Sequence, residues 1–387
     1  MTSSTNLNSV CPAEGKVRPM KRTNASALPP LLLLLSTLTF GGCASSRPHG
    51  QSSQFFGLTN FSQFARSRAD HGDTVLLSPE IRSLSSWTEL IVSWNADAPA
   101  KTFLKLEAAA SLAGRSTTFY NLGQWSPDDT LFPRTSVHGQ EDSEGRVETD
   151  TLKLNQLADA LRLRITLGGT NGTLPTIKFL GVCCSAPRAR VVTRPPNRAA
   201  WGRIIDIPER SQHGYPDARG WCSPASLAMV LAHWAEVLHQ PELSLTVPQV
   251  AAAVYDRDYA STGNWPFNTA FAGSFRGMRS YVTRFDDLSE VEDWIAAGIP
   301  VILSARWDLL EPGRPLDSDG HLLGCIGFTD QGDVVVNEPA THLVRGETVR
   351  RVYRRENVMR AWMKSHNTVY LVYPENAAIP RNQFGHW

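Results

Sequence analysis

A cysteine, a histidine and a polar pair follow one another along the second half of the chain in an order that suits thiolate catalysis. Cys222 stands directly before an apolar helical pattern, His321 opens a later strand-like run, and Asn337 and Glu338 close the next run. Covalent catalysis by a thiol needs a nucleophile, a base within hydrogen-bond reach and a third group that orients the base. The order therefore predicts a hydrolase in which Cys222 attacks and His321 is the base.

The helix that follows Cys222 supplies a reason for the position of the thiol. Apolar residues recur there at helical spacing, at Leu227, Val230, Leu231, Trp234 and Leu238. Unpaired backbone N–H groups and the positive end of the dipole at a helix N-terminus favour the thiolate over the thiol. Pro224 suits the first turn, and Ser223 is a candidate cap. The alternative, a buried structural cysteine, is disfavoured by the flanking Trp221 and Pro224.

The composition allows two ordinary domains and an export segment. The chain has 387 residues, of which 42% are hydrophobic and 19% charged, with a formal net charge of +1. No Lys/Arg-rich run is present, which excludes the usual electrostatic signature of a nucleic-acid-binding protein. The cysteines show no zinc-ligand spacing, and Cys325 is expected in a strand core. We therefore expect no nucleic-acid partner, no metal and no other cofactor.

The N-terminus, residues 1–43, is typical of an export signal. Lys21 and Arg22 precede an apolar stretch at 28–40 that is too short to span a membrane and suits a signal peptide. The stretch ends in Gly41-Gly42-Cys43, which resembles a bacterial lipobox, so that Cys43 would be lipidated and provide the protein's membrane contact. The alternative is an ordinary secretory signal. Both interpretations predict an exported protein, in the cell envelope or secreted.

The remaining sequence divides into regions of different character. Residues 44–71 are predicted to be a tether, 72–184 an all-β sandwich, 185–200 a Pro-rich linker, 201–376 an α+β domain, and 377–387 a tail. The run from Leu161 to Leu167 alternates strictly between apolar and polar residues, as in a half-buried strand. Asp150 and Thr151 could line a ligand face, although turn chemistry is the favoured interpretation.

The α+β region shows helices first and then an antiparallel sheet. Thr246 is a candidate cap for a second helix, and Gly298 is expected to stop a short helix over 291–297. A loop over 262–268, which contains Trp265 and Asn268, separates helical patterns. Strands are predicted at 301–304, 321–328, 333–337 and 369–372.

Five motifs carry a resemblance to a known family. They are Gly-Trp-Cys-Ser-Pro-Ala-Ser at 220–226, Asn-Trp-Pro-Phe-Asn at 264–268, Gly-Ile-Pro-Val at 298–301, Gly-His-Leu at 320–322 and Val-Asn-Glu-Pro-Ala at 336–340. In this order they resemble the exported bacterial branch of the papain-like peptidases related to the double-glycine leader, or bacteriocin-processing, peptidases. The resemblance covers roughly 200–375 and implies a papain-like fold. The β region before it resembles a module that precedes this domain in secreted bacterial proteins.

The resemblance implies that the family's mechanism, thiolate attack with a His as base, extends to this chain. Cys222 and His321 match the nucleophile and the base. The leader peptidases have an Asp directly before a Pro, and that position is Glu338 here, whereas other papain-like enzymes use an Asn, and Asn337 is adjacent. Only one of two consecutive strand residues can reach His321. We favour Asn337, because its side chain fits the orienting role without the longer stem of Glu338.

Further site residues follow from the same resemblance. The fold forms its oxyanion hole from the backbone N–H of the Cys and an upstream Gln side chain, for which Gln212 is the candidate. A surface loop Gln is the alternative. Trp221, Trp265 and Asn268 are candidates for the substrate groove, and core packing is their alternative role.

Two classes of function remain open. One is an exported cysteine peptidase or amidohydrolase acting on peptides, proteins or cell-wall peptides, or a transferase that uses the same acyl-enzyme. The other is a non-catalytic surface module that binds glycan or protein on a papain-like scaffold.

Overall fold

The computed structural model describes residues 52–69, 72–187, 193–216, 218, 220–311 and 320–387. The predicted export signal, with Cys43, lies outside the described residues. Within the described ranges no helix is both long and apolar enough to cross a bilayer. The described chain has an all-β half followed by a half with helices and a second sheet.

The N-terminal half, here called the β module, consists of ten antiparallel strands. They are β1 Ser53–Leu58, β2 Ala65–Arg68, β3 Thr74–Leu77, β4 Ile81–Asp97, β5 Thr102–Leu112, β6 Arg115–Ser116, β7 Tyr120–Trp125, β8 Gly145–Glu148, β9 Thr151–Gly169 and β10 Thr176–Ser185. The alternation predicted at 161–167 is observed in β9, where Leu163 and Ile165 are fully buried and the two arginines between the apolar residues point away from the core.

Hydrogen bonds link all ten strands into one curled sheet, so the expected separation into two packed sheets is not observed. The reason is the length of β9, whose 19 residues pair with β3, β4, β5 and β8 at different points along its course. The sheet thereby encloses one apolar core that includes Trp87, Trp94 and Tyr120.

The predicted tether needs correction where the structure describes it. Residues 53–58 form β1 and pair with β10, and residues 65–68 form β2 and pair with β3. The β module therefore begins inside the range 44–71. The serine and arginine content that indicated a tether is compatible with edge strands, which tolerate polar side chains because one side faces solvent.

The C-terminal half packs helices on a six-stranded antiparallel sheet. Its helices are α1 Cys222–Leu238, α2 Val247–Val254, α3 Trp265–Ser274, α4 Leu288–Ala296, α5 Trp307–Leu310 and α6 Arg355–Met363. Its strands are β11 Met278–Arg284, β12 Val301–Ala305, β13 His321–Phe328, β14 Val334–Asn337, β15 Arg350–Tyr353 and β16 Thr368–Pro374. The order in the sheet is β11-β16-β12-β13-β14-β15.

Local capping residues determine where several of these helices begin and end. Thr246 and Gln249 form a reciprocal capping box at α2, and Gly298, with a φ of 80°, follows the end of α4. Asn264 accepts a hydrogen bond from the Phe267 backbone N–H, so α3 begins at Trp265. The segment predicted as a loop over 262–268 is therefore half helical.

The two halves share their cores. Phe267 of α3 lies in the β-module core, with its ring centroid 5.6 Å from that of Trp125. Asn95 of β4 donates to the Ser280 carbonyl at 2.7 Å and accepts from the Ser280 N–H. A Cβ on Gly273 would lie 1.9 Å from Asn95 Nδ2, so only glycine permits α3 to approach β4 this closely.

The predicted linker and tail are also packed against the rest of the chain. In the described part of the linker, the Asn197 N–H donates to Glu292 of α4 at 2.7 Å. In the tail, the Phe55 N–H of β1 donates to the Gly385 carbonyl at 2.6 Å, and Trp387 packs against Trp294. These segments therefore join the two halves instead of extending from them.

Candidate active site

Cys222 is the first residue of α1. Gly220 has a φ of 80°, which turns the chain sharply into the helix, and Trp221 occupies the N-cap without a side-chain hydrogen bond. Ser223 is not a cap, which corrects the expectation, because its Oγ lies 3.0 Å from the Tyr370 hydroxyl inside the core. The side chain of Cys222 lines a cavity at the end of the helix.

His321 is the first residue of β13 and lies against Cys222. Its Nε2 forms a hydrogen bond with Glu338 Oε1 at 2.7 Å, and the Cys222 side chain is close enough to raise the pKa of the imidazole. Because Nε2 faces Glu338, Nδ1 is the nitrogen available to the sulfur. The imidazole also stacks on Trp307, with ring centroids 4.7 Å apart and an angle of 16° between the planes. The imidazole is thus held on three sides.

Glu338, and not Asn337, is the partner of His321, so our preference for Asn337 was wrong. Asn337 ends β14 with its side chain on the other side of the sheet, where Nδ2 donates to the Ile207 carbonyl at 3.3 Å. Glu338 follows the strand and points toward His321. The extra methylene of the Glu stem, which counted against it, provides the reach from a position beyond the strand end.

The Glu338 carboxylate is held by three donors. Oε1 accepts from the Ala340 N–H at 2.8 Å as well as from His321, and Oε2 accepts from the Tyr353 hydroxyl at 3.0 Å. The carboxylate is almost fully buried. Burial opposes ionisation, but the His321 charge and these hydrogen bonds outweigh it, and the pKa of Glu338 falls below its ordinary value.

The electrostatics of the site favour a charged imidazole. Burial alone would lower the pKa of His321, but the Glu338 carboxylate and the Cys222 sulfur raise that pKa to about 10. The shift means that folding stabilises imidazolium, a contribution present below the ordinary pKa and lost as pH rises through about 10. At neutral pH the imidazole of His321 is therefore charged.

Tyr353 is predicted to position the orienting carboxylate. Tyr353→Phe removes the donor to Glu338 Oε2, and a hydrogen bond to a charged group contributes about 1.5–3 kcal/mol. The pKa of Glu338 should then rise, so the acid limb of the activity profile, where the ion pair is lost as Glu338 is protonated, should move to higher pH. We expect a decrease in kcat of about tenfold, measured with the full pH profile.

Tyr373→Phe is the matched control for this substitution. Tyr373 is also a buried tyrosine of a C-terminal strand, but its hydroxyl donates to the neutral Tyr281 hydroxyl. It should lower thermal stability without moving the acid limb. An unchanged acid limb in Tyr353→Phe would contradict the positioning role.

Gln212 lies at the same cavity as Cys222 and His321. Its backbone N–H donates to the Pro339 carbonyl at 2.8 Å, which ties the Gln212 segment to the loop after Glu338. The side chain is 6% exposed, and its Oε1 has no hydrogen-bond partner among the described residues. The surface-loop alternative therefore fails, and the position agrees with a role beside the nucleophile.

Of the three residues proposed for the substrate groove, the structure places only Trp265 at the cavity. Trp265 lines the cavity, but Asn268 does not, because it is fully buried and its Nδ2 donates to the Thr262 and Asn264 carbonyls. Trp221 does not line the cavity either; it packs against the core, 6.0 Å from the Tyr215 ring. Asn268 thus shapes the start of α3, and Trp221 shapes the start of α1.

The cavity has a volume of about 1160 Å³ and includes residues that the sequence analysis did not assign to the site. Trp307 was missed because no local pattern pairs it with His321; the β12–β13 register, which sets Ala305 opposite His321, brings it there. Tyr353 was missed for a similar reason. Among the described residues no group of three or more potential metal ligands converges.

Comparison with known proteins supports the resemblance to this family. Residues 204–370 match the model of the peptidase C39-like family, and residues 56–185 match the peptidase C39 N-terminal domain. The chain carries a C39-like peptidase domain. The resemblance inferred from the motifs is thus confirmed, and the β module before the C39-like domain corresponds to the family's N-terminal domain.

Three solved structures share a distant likeness with this chain. A C39-like peptidase from Bacillus anthracis is 15% identical, with 45% of this chain and 98% of that chain covered, at a TM-score of 0.35. Two structures of infectious bursal disease virus, the Gt and Gx strains, are 9% and 11% identical over 36% of this chain and 35% of theirs, with TM-scores of 0.22 and 0.20. No curated protein matches the chain.

Proposed function

We propose that the protein is an exported cysteine peptidase that cleaves peptide or amide bonds through an acyl-enzyme. The observation that carries this proposal is that His321 is bonded to Glu338 and lines, together with Cys222, a cavity large enough for a substrate. Each member suits its role: Cys222 as nucleophile, His321 as acid and base, and Glu338 as the orienting carboxylate.

The proposed reaction has two halves. The Cys222 thiolate attacks the scissile carbonyl carbon, and the negative charge that develops on its oxygen is stabilised by the Cys222 backbone N–H and the Gln212 side chain. The C–N bond breaks as His321 gives its proton to the leaving amine, which leaves a thioester on Cys222. Water then attacks the thioester, His321 accepts the proton of the water, and the carboxylic acid product departs as the thiolate returns.

The proposed substrates are peptides or proteins outside the cytoplasm, with cell-wall peptides as one class. This part of the proposal rests on the predicted signal over 28–40, with Cys43 as the attachment point of a lipid anchor. An amine could replace water in the second half-reaction, so that the same acyl-enzyme would support transfer. Among the described residues that line the cavity, no contact favours the non-catalytic binding module as an alternative.

Thiol labelling across a pH series tests the proposal. Iodoacetamide should modify Cys222 selectively, at a rate that stays high below pH 7, because the imidazolium stabilises the thiolate there. Peptide mapping of the modified protein gives the site. Cys183, Cys184 and Cys325 are nearly or fully buried and should remain unmodified in the folded protein.

The comparison variant for the labelling is Cys222→Ala, which should abolish the fast phase. A rate that rises only near the ordinary thiol pKa of about 8.5 would contradict the proposal and support the non-catalytic scaffold.

A further inference from the structure

The β module forms part of the cavity that contains Cys222. The connection between β8 and β9, together with the ends of both strands, lines it at Glu148, Thr149, Asp150, Thr151 and Lys153. These five residues form one wall of the cavity, here called the β wall. A binding module with an independent role would not need to reach the nucleophile of the neighbouring domain.

Asp150 connects the β wall to the C39-like domain. Its Oδ2 accepts from the Trp265 backbone N–H at 2.8 Å, and its Oδ1 accepts from the Thr151 hydroxyl at 3.1 Å. Trp265 is the first residue of α3, where the N–H has no partner within the helix and a negative charge is favourable. Trp265 also lines the cavity. The hydrogen bond from Asp150 therefore fixes the backbone position from which the Trp265 side chain projects.

The segment before Trp265 is held by the β module as well. Asp256 accepts from the Ser136 N–H at 2.9 Å, and its other carboxylate oxygen accepts from Asn264 Nδ2 at 2.8 Å. Arg134 is buried and donates to the Ala252 carbonyl at 2.7 Å and to the Tyr255 carbonyl at 3.3 Å. The segment 255–265, which we call the cleft segment, is therefore attached to the β module at several points.

Residues of the cleft segment face the nucleophile's cavity. Tyr259, Ser261, Gly263 and Trp265 line it together with Cys222. The cavity's volume of about 1160 Å³ lies above the usual range of small-molecule pockets, about 300–1,000 Å³, and suits a chain of several residues.

We propose that the β module is one wall of the substrate cleft, that the β wall contacts an extended peptide substrate, and that Asp150 is a positioning residue that holds the cleft segment beside the substrate path. This inference rests on the proposed peptidase function. It assigns the N-terminal domain a part in substrate binding, and it makes the C39-like domain dependent on the β module for a complete cleft.

The test uses the full-length chain and two electrophiles. Iodoacetamide is small and reacts without binding in the cleft, so its rate reports the intrinsic reactivity of Cys222. A mixture of acetylated tripeptide vinyl sulfones with randomised residues reports cleft binding followed by the same attack. Asp150→Ala should lower the rate with the peptide reagents by about 10- to 100-fold, because small displacements of substrate-positioning groups have effects of this size. The iodoacetamide rate should not fall.

Two companion variants refine the Asp150 result. Asp150→Asn keeps a carbonyl oxygen that can accept from the Trp265 N–H, and it should recover most of the peptide rate. Asp159→Ala is the matched control, since Asp159 lies in β9, the strand that Asp150 directly precedes, but forms an exposed ion pair with Arg82. It should leave both rates unchanged.

A surface variant tests the β wall without disturbing the core. Lys153 forms an ion pair with Glu148, and both side chains are partly exposed. In the wild type, the tripeptides that react fastest should be enriched in acidic residues, and Lys153→Glu should change this preference toward basic residues. Mass spectrometry of the adducts measures the preference. This variant keeps the proposal testable if Asp150→Ala does not fold.

The outcomes separate this inference from the proposed function. An unreactive Cys222 in the wild-type protein would overturn the peptidase proposal and the inference with it. A reactive Cys222 with equal losses of both rates in Asp150→Ala, or with no loss, would overturn the role of Asp150. An unchanged tripeptide preference in Lys153→Glu, or no acceleration by the peptide part in the wild type, would overturn the β wall as a contact surface.

Discussion

Cys222→Ala is expected to reduce kcat for peptide hydrolysis by about 10⁶-fold, the size of effect seen when a covalent nucleophile is removed from a catalytic triad. The reason is that the thioester cannot form, while the remaining donors still bind the substrate. The KM should therefore change little. The measurement is the rate of cleavage of a peptide library by the purified full-length chain, with products identified by mass spectrometry.

Cys325→Ala provides the matched control. Cys325 is a free, fully buried thiol in β13, the strand that His321 opens, but it lies in the core away from the cavity. Its substitution should retain activity and lower thermal stability by a small amount, as removal of a small buried group does. Residual activity in Cys222→Ala close to that of Cys325→Ala would contradict the nucleophile assignment.

Glu338→Ala is expected to reduce kcat by about 10⁴-fold, as loss of the orienting carboxylate does in other triads. The imidazole would lose its acceptor at Nε2, and its orientation and charge would no longer be fixed. Glu338→Gln should retain more of the geometry but not the charge. The pKa of His321 should then fall from about 10, and the alkaline limb of kcat should move to lower pH.

Asn337→Ala is the control that separates the two adjacent residues. Its side chain is buried and donates to the Ile207 carbonyl, so the substitution should destabilise the fold without a large loss of kcat per folded molecule. The pH limbs should stay in place. If Asn337→Ala lost activity and Glu338→Ala retained it, the geometry of the site would have been misinterpreted.

The proposed cleft changes how the two-domain organisation is understood. A detachable module would have its own core and a short interface, with independent movement as the default. Here Phe267 from the C39-like domain completes the β-module core, and the tail packs against both halves. A substrate cleft between two such joined halves can be wide and still have fixed walls, which suits the positioning that catalysis requires.

Short-range patterns in the sequence determined the elements that carry Cys222 and His321. The helix that begins at Cys222, the strand that begins at His321 and the cap at Thr246 all depend on residues within a few positions of one another. Periodicity and capping chemistry act over this range, so they were predictable. The family motifs added the expectation of a papain-like peptidase domain, because they combine those same positions in a known order.

Tertiary structure alone decided which residue orients His321 and what the β module contributes. Alternation showed that Asn337 and Glu338 face opposite ways, but the pairing of β14 with both neighbours determined which way each one faces. Asp150 and Trp265 are separated by 115 residues, and Trp307 meets His321 through strand register. Such contacts arise from long-range packing, which leaves no periodic signal in either segment, so only the folded chain reveals them.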